Sequence, residues 1–468
     1  MKKIFLLLLL LPLWVYGQQA HPWLHIYHND ADFNSVKAAE ITEMTHSLSD
    51  SDDSLDSLIV NTQEGRLSVA LSKIDHCAVG TNVPTVYITI PGYPDLSELY
   101  DKELYLDAMI SIDGNGVVDD LEPTAVSIKG RGNSTWNYVK KPYRLKFDKK
   151  IAICGLAKAK SYALIANYID CSLMRNAVAL KLGQLLEMPF TNHCQPIRVY
   201  FNGIFKGAYF ITEKIGITGA SVDIDEETGI LFEMDTNFDE AYKFWSMYYN
   251  LPMMVKDPDL SEIAELKGVP PESLLSTWRD DFTEFERKVY MGEDLSTSLD
   301  MESLVNYLIV YNVCGNREPV WPKSVYLYKG SADDLYHFGP IWDFDWGFTY
   351  NDGVENQVTD KLLLEMFDYP QYGGPFLMQI SKTPEFRTLY KEKFDNFKAN
   401  LLPQLLEYMD EYADQIEPSA IENGVVWPAE PGRTEGSFNF RENLDKLKEW
   451  IQNRIDFISG HENYGLYN

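Results

Sequence analysis

Gly339-Pro-Ile-Trp-Asp-Phe-Asp-Trp-Gly-Phe348 places two carboxylates, Asp343 and Asp345, at i,i+2 among three large aromatic residues. In extended backbone this spacing sends both acids to one side and Trp342, Phe344 and Trp346 to the other. The Gly-Pro before the acids and the Gly after them mark a short strand or turn and not a helix. Carboxylates held this way suit a hard divalent cation, because Mg²⁺ takes oxygen ligands and uses one or two protein carboxylates together with substrate phosphates. Read alone, the pair is equally consistent with acids that face solvent beside an aromatic core.

Far upstream the charge balance inverts. The chain of 468 residues carries a formal charge of −29, yet residues 129–160 contain ten basic side chains and the single acid Asp148. An anion is expected there. The segment opens with Ile128-Lys-Gly-Arg-Gly-Asn-Ser-Thr-Trp136. Gly130 and Gly132 permit close backbone approach, while Asn133, Ser134 and Thr135 add donors, so the loop is able to cradle a phosphate. It is neither a dinucleotide fingerprint nor a Walker loop. The next strand, Pro142-Tyr-Arg-Leu-Lys-Phe147, puts Tyr143, Leu145 and Phe147 on one face and Arg144 and Lys146 on the other. Either base is positioned by this reading to hold a polyphosphate, and a plain solvent face remains open.

The rest of the chain supplies context. Residues 1–18 read as an export signal, with Lys2 and Lys3 before the apolar run Phe5 to Val15, and the apolar run is too short to span a membrane. The strongly acidic composition disfavours nucleic acid and anionic membrane as partners. The five cysteines show no CxxC spacing, so they outline neither a zinc site nor a disulfide framework, and one isolated bridge stays open. Short strands at Leu24 to Tyr27, Leu58 to Val60 and Arg66 to Leu71 predict a β-rich leader domain over 19–84. His21, His25 and His28 lack a fourth ligand and read as surface histidines.

Strands continue to about 258, including a hairpin from Pro196 to Thr212 turned at Asn202-Gly203 and ending at Glu213. Glu213 either pairs with a base of the 142–147 strand or is an exposed edge charge. Ser172 to Met188 predicts a helix with Asp170, Arg175 and Asn176 at its start. Helices then dominate: Pro271 to Tyr290, Met301 to Cys314, Glu385 to Phe397, Leu402 to Gln415 and Phe440 to Ser459. The second of these leads into Asn316, Glu318 and a strand at Val325 to Lys329.

These motifs together resemble the spore-coat protein H (CotH) kinase-like family, particularly its secreted, Bacteroidetes-type members. The resemblance runs from about Asn82 to Ser381. It rests on Lys-Gly-Arg-Gly-Asn-Ser-Thr-Trp136, Lys-Lys-Pro-Tyr-Arg-Leu-Lys146, Ala166-Asn-Tyr-Ile-Asp170 with Arg175-Asn176, the hairpin ending at Glu213, and Gly-Pro-Ile-Trp-Asp-Phe-Asp345. It implies an α+β, atypical protein-kinase-like fold over 85–468, with a β-rich lobe to about 258 and a helical lobe after it. It also implies ATP with Mg²⁺ or Mn²⁺, and γ-phosphoryl transfer to Ser/Thr of a protein acceptor by an exported protein. By position, Gly130, Arg131, Gly132, Asn133, Ser134, Arg144, Lys146 and Glu213 fall to the nucleotide, and Asp343 and Asp345 to the metal, with Asp343 first. Asn316 is a second metal ligand or a helix cap. Where the family commonly has a catalytic Asp, the nearest residue is Glu318, whose extra methylene shifts its reach by about an ångström. A kinase fold retained as a binding or surface-assembly module is the alternative, and a metal-dependent hydrolase a third class, without GxSxG or HExxH to support it.

Overall fold

The computed structural model describes residues 23–28, 33–48, 55–63, 65–80, 83–93, 101–348, 359–366, 372–428 and 439–468. The expected export signal and His21 lie outside these residues. The first strands are β1 (Trp23–His28), β2 (Phe33–Lys37), β3 (Ile41–Leu48), β4 (Leu55–Thr62), β5 (Arg66–Ala70) and β6 (Ile74–Gly80). They form two three-stranded sheets, ordered β2-β1-β6 and β3-β4-β5. Leu24, Ile26, Leu58, Val60 and Val69 make their core, so the β-rich leader is present as expected. His25 is not a surface residue: it is 2% exposed. Burial, with the charge of Arg198 nearby, pushes its pKa down to about 4, which keeps the ring neutral at ordinary pH. A Lys37–Asp113 ion pair ties this unit to the next.

Seven strands then close a barrel. They are β7 (Thr85–Thr89), β8 (Leu106–Asp113), β9 (Leu121–Gly130), β10 (Tyr143–Ile151), β11 (Ala159–Ile165), β12 (Gln195–Phe201) and β13 (Ile204–Glu213), in the order β10-β11-β13-β12-β7-β8-β9. Strand alternation explains the filling: Tyr143, Leu145 and Phe147 are buried inside, as their spacing predicts, while Lys146 is exposed. Asn202 (φ 48°) and Gly203 (φ 80°) turn the β12–β13 hairpin in the left-handed region that a two-residue turn of this kind demands. The Asn202 amide also bonds Ile90, its Oδ1 accepting the Ile90 N–H at 2.7 Å. That contact holds the hairpin against β7, the one neighbour with which β12 runs parallel.

The second sheet crosses the division expected near 258. Strands β14 (Ile230–Met234), β15 (Lys243–Trp245) and β16 (Pro252–Asp257) pair into one five-stranded sheet with β17 (Val325–Lys329) and β18 (His337–Phe338), in the order β15-β16-β14-β17-β18. Strands 230–257 therefore belong with the helices and not with the barrel. Around this sheet pack α1 (Arg175–Leu185), α2 (Leu260–Lys267), α3 (Pro271–Met291), α4 (Met301–Cys314), α5 (Gly373–Ser381), α6 (Pro384–Asn396), α7 (Leu402–Val426) and α8 (Phe440–Gly460). Helix α4 has the predicted ends, because the Asp300 side chain accepts the N–H groups of Glu302 and Ser303 and Gly315 (φ 60°) stops it. It is buried on nearly every side, as a helix at the centre of a lobe must be. Among the described residues no helix is long and apolar enough to cross a membrane, and the five cysteines are unbridged.

One cap carries a pH signature. His337 Nδ1 lies 2.9 Å from Asp300 Oδ2, and the ring stacks on Tyr328. Burial opposes the imidazolium, but hydrogen bonds and charge from Asp300 and Asp334 outweigh it and raise the His337 pKa; the His337 bond in turn lowers that of Asp300. The raised histidine stabilises fully below its unfolded pKa of about 6.5 and loses that contribution as pH climbs through the higher folded value. The lowered Asp300 stabilises above about pH 3.9 and fails as pH drops through its folded value. His337→Gln should therefore cost up to about 1 kcal/mol at pH 6, with a smaller cost at pH 9. Thermal melts at both pH values that differ from wild type equally would refute this.

Candidate active site

The loop 131–142, between β9 and β10, and the acidic segment after β18 open on one cavity of about 800 Å³. Gly130, Arg131, Gly132, Asn133, Ser134, Arg144, Glu318, Asp343 and Asp345 all line it. Arg131 joins the two motifs: its guanidinium lies 5.3 Å over the Trp342 ring. Burial lowers its pKa, while Asp343, Tyr326 and Asp345 raise it in that order, so the guanidinium stands among the acids.

The loop glycines serve the loop's own packing. A Cβ on Gly130 would meet the Trp136 ring at 2.5 Å, and one on Gly132 (φ 82°) would meet Thr135 Oγ1 at 2.0 Å. Lys102 adds a clamp from outside, its Nζ 3.1 Å from both Gly132 O and Asn133 Oδ1.

Three expected residues stand elsewhere. Lys146 is exposed over the Tyr105 ring, 5.7 Å from its centroid, and does not line the cavity. Glu213 pairs with no base of β10. Its Oε1 meets His193 Nδ1 at 2.7 Å and its Oε2 accepts the His193 N–H at 3.0 Å, and it does not line the cavity. Asn316 is fully buried, with Oδ1 accepting the Glu318 N–H at 2.9 Å and Nδ2 donating to Asp343 O at 3.1 Å. Both ends of its amide are thus spent on positioning the two acids.

The acidic segment is a loop and not a strand. Asp343 sits at φ 61°, a left-handed conformation uncommon for a residue with a Cβ. That turn breaks the alternation expected of extended backbone: Phe344 goes fully to the core, while Trp342 and Trp346 line the cavity beside the acids. The loop is fixed from α1. Asn176 Nδ2 donates to Asp345 Oδ1, its Oδ1 accepts the Phe344 N–H at 2.9 Å, and Arg175 Nη1 reaches Asp345 O at 3.2 Å. Asp170 orders the start of α1 in turn, accepting the N–H groups of Ser172 and Arg175 at 2.9 Å. The Asn167–Asn176 stretch is therefore the seat of the acidic loop. Removing such support from an acid costs about 10–100-fold in ligand affinity or activity. Asn176→Ala is expected to weaken Mg²⁺ or Mn²⁺ binding by that factor with Asp343 and Asp345 intact, and a loss under threefold in calorimetry would refute the role.

Sequence reading missed further lining groups: Glu233, Asp235, Lys214, Lys256, Lys323 and Tyr326. One signal was available, since Glu233 interrupts the apolar run Ile230 to Met234, and a charge inside a buried strand demands a partner. The partners are Lys256 at 2.7 Å and the Tyr326 hydroxyl at 2.9 Å.

The acids crowd one another. Burial, then the Asp343 and Asp170 charges, push Asp345 up to about 7. Burial first, then Asp343 and Asp235, raise Glu318 well above the carboxylate range. Glu318 Oε2 is buried with no hydrogen-bond partner. Crowded carboxyls with an unpartnered oxygen fit a hard divalent cation, which would relieve the repulsion. Among the described residues no three His, Cys, Asp or Glu side chains form a metal cage. A cation here would take its remaining ligands from phosphate and water, the ordinary habit of Mg²⁺.

A β-barrel and a helical lobe, with a basic glycine-bearing loop facing a pair of aspartates across one cleft, define a kinase-like protein. The sequence matches the CotH kinase protein family over residues 128–458, and the chain belongs to that family. The match begins within β9 and extends past Ser381 into α8. No curated protein matches the chain.

Proposed function

We propose that this chain is an exported, atypical protein-kinase-like enzyme that transfers the γ-phosphoryl group of ATP to Ser/Thr hydroxyls of a protein acceptor, with residues 19–84 as a separate leader domain. The observation that carries the reading is the shared cavity, in which Arg131 of the glycine-bearing loop stands beside Asp343 and Asp345. Family membership and the fit of the acids to a hard cation support it. Such a transfer asks little covalent chemistry of the protein and depends on positioning and charge neutralisation.

Arg131 and Arg144 would hold the phosphates, with the donors of Asn133 and Ser134 at the loop. Asp343 and Asp345 would hold Mg²⁺ or Mn²⁺, which when bound neutralises charge on the phosphoryl oxygens. Asn176 and Arg175 keep the acidic loop in place during the transfer, and Asn316 aims Glu318. Glu318 would accept the proton of the attacking hydroxyl at its unpartnered Oε2.

The raised pKa of Glu318 specifically favours a second reading, a binding module without turnover, because a protonated carboxyl is no base. Purified protein with γ-labelled ATP and Mg²⁺ or Mn²⁺, alone and with a generic protein acceptor, separates the two. Label on Ser or Thr supports the kinase. Nucleotide binding without label transfer overturns it in favour of the module, and release of free phosphate alone overturns it in favour of hydrolysis.

A further inference from the structure

Several basic groups of the cavity are matched by acids. Lys256 is matched by Glu233 at 2.7 Å and Glu240 at 2.8 Å, Lys323 by Asp235 at 3.0 Å, and Lys129 by Glu103. Arg144 and Lys214 have no carboxylate within ion-pair distance among the described residues, although both line the cavity. Arg144 makes one long contact, 3.4 Å from Nη2 to Ser161 Oγ, and its Nε is buried without a hydrogen-bond partner.

The surroundings of Lys214 do not supply the missing charge. It follows β13, with Arg144 facing it from β10, Lys256 and Asp257 from β16, and Glu240 from the segment before β15. Glu240 is engaged with Lys256, and Asp257 Oδ2 accepts the Ile217 N–H at 2.7 Å. Two cations thus face each other in a cleft, with Glu240 paired to Lys256 and Asp257 acting on Lys214 only from beyond ion-pair distance. A buried guanidinium nitrogen left unbonded costs free energy that an anion would recover.

We propose that Arg144 and Lys214 form a subsite for one phosphoryl group of a polyphosphate chain, and that the anion enters together with a proton taken up on the Lys214 amine. The proposal rests on the phosphotransfer reading only for the identity of the natural anion. Burial first, then Arg144 and Lys256, bring the Lys214 pKa down to about 8. An anion beside the amine favours its charged form and reverses that shift. Below pH 7 the amine is already charged and binding takes up almost no proton. At pH 9 it is mostly neutral, and binding takes up close to one proton, about 0.9 for a bound pKa well above 9.

Titration calorimetry of the full chain with ATP and, separately, with inorganic tripolyphosphate, each in two buffers of different ionisation enthalpy, reads this directly. Relative to Lys214→Arg, wild type is expected to take up close to one additional proton at pH 9 and almost none at pH 6.5 with both ligands. Lys214→Arg stays charged throughout, so it should bind without that uptake and also reports the protons exchanged by the ligand itself. Lys214→Met should bind at least tenfold more weakly at pH 7, with its fold checked by circular dichroism. Equal proton exchange in wild type and Lys214→Arg, or unweakened binding by folded Lys214→Met, would overturn the subsite. So would linkage with ATP but none with tripolyphosphate, since the subsite reads a phosphoryl group alone. A chain that binds tripolyphosphate with proton uptake yet never transfers label keeps the subsite and loses the kinase. Full label transfer by Lys214→Met does the reverse.

Discussion

Asp343→Asn is expected to lower phosphoryl transfer about 10³-fold, the size of a lost charge-stabilising group in a water-excluded site, while the melting temperature stays unchanged or rises. The two effects have opposite signs for one reason. Asp343 is a carboxyl whose pKa is raised by burial and by Asp235 against the pull of Arg131, so without a cation its charge is a burden on the fold. Asparagine keeps the shape and tolerates the left-handed backbone at φ 61° better than alanine would. It lacks the charge that a cation needs. Addition of Mg²⁺ or Mn²⁺ should stabilise wild type against heat and leave the variant almost unmoved, since only a native-state ligand shifts the melting point. Activity within tenfold of wild type would remove Asp343 from the chemistry.

How much of this was legible in the sequence depends on how local the determinants are. Helix α4 was legible to the residue from its apolar face, and the structure shows Asp300 and Gly315 fixing its two ends. The β12–β13 hairpin was read because Asn202-Gly203 is itself the turn. Barrel closure was not: β12 runs parallel to β7 across more than a hundred residues, and no periodicity reports such a partner. The same limit hid the membership of β14 and β16 in the second sheet, since both faces of those strands are buried and their apolar runs name no neighbour.

The acidic pair was legible as a motif, whereas the side taken by Trp342 and Trp346 was not. One residue, Asp343, leaves extended geometry and breaks the alternation that the reading relied on. Arg144 and Lys146 were indistinguishable by spacing, and only the tertiary position of Lys214 and the second sheet shows that Arg144 faces the cleft.

Lys140→Met is expected to destabilise the chain by about 3 kcal/mol, the sum of two or three buried acceptors left without a donor, and to lower the melting temperature by roughly 3–4 °C. Lys140 is 1% exposed, and its Nζ donates to Ala166 O at 2.6 Å, to Asn423 Oδ1 at 2.8 Å and to Ala208 O. Burial drives its pKa well below that of an ordinary lysine, so an apolar residue of similar length relieves a desolvation cost. Relief would win if the acceptors could turn to water. The burial of Ala166 and Ala208 works against that escape.

The loss would also reach beyond the site of substitution. Asn423 lies on α7 and its Oδ1 also accepts the Ala208 N–H at 3.1 Å, beside an Arg198–Glu422 pair at 2.6 Å and a Trp427 Nε1 donation to Lys206 O at 2.8 Å. Lys140 is thus the buried member of the clamp that fastens the helical lobe to the barrel across the cavity floor. Hydrogen exchange at residues 206–208 and 423–427 should quicken together in Lys140→Met. A double-mutant cycle with Asn423→Leu should show coupling of about 1 kcal/mol or more, as for residues that share one hydrogen-bond network. Additive losses, or a melting temperature within about 1 °C of wild type, would mean that the lobes are held by apolar packing alone.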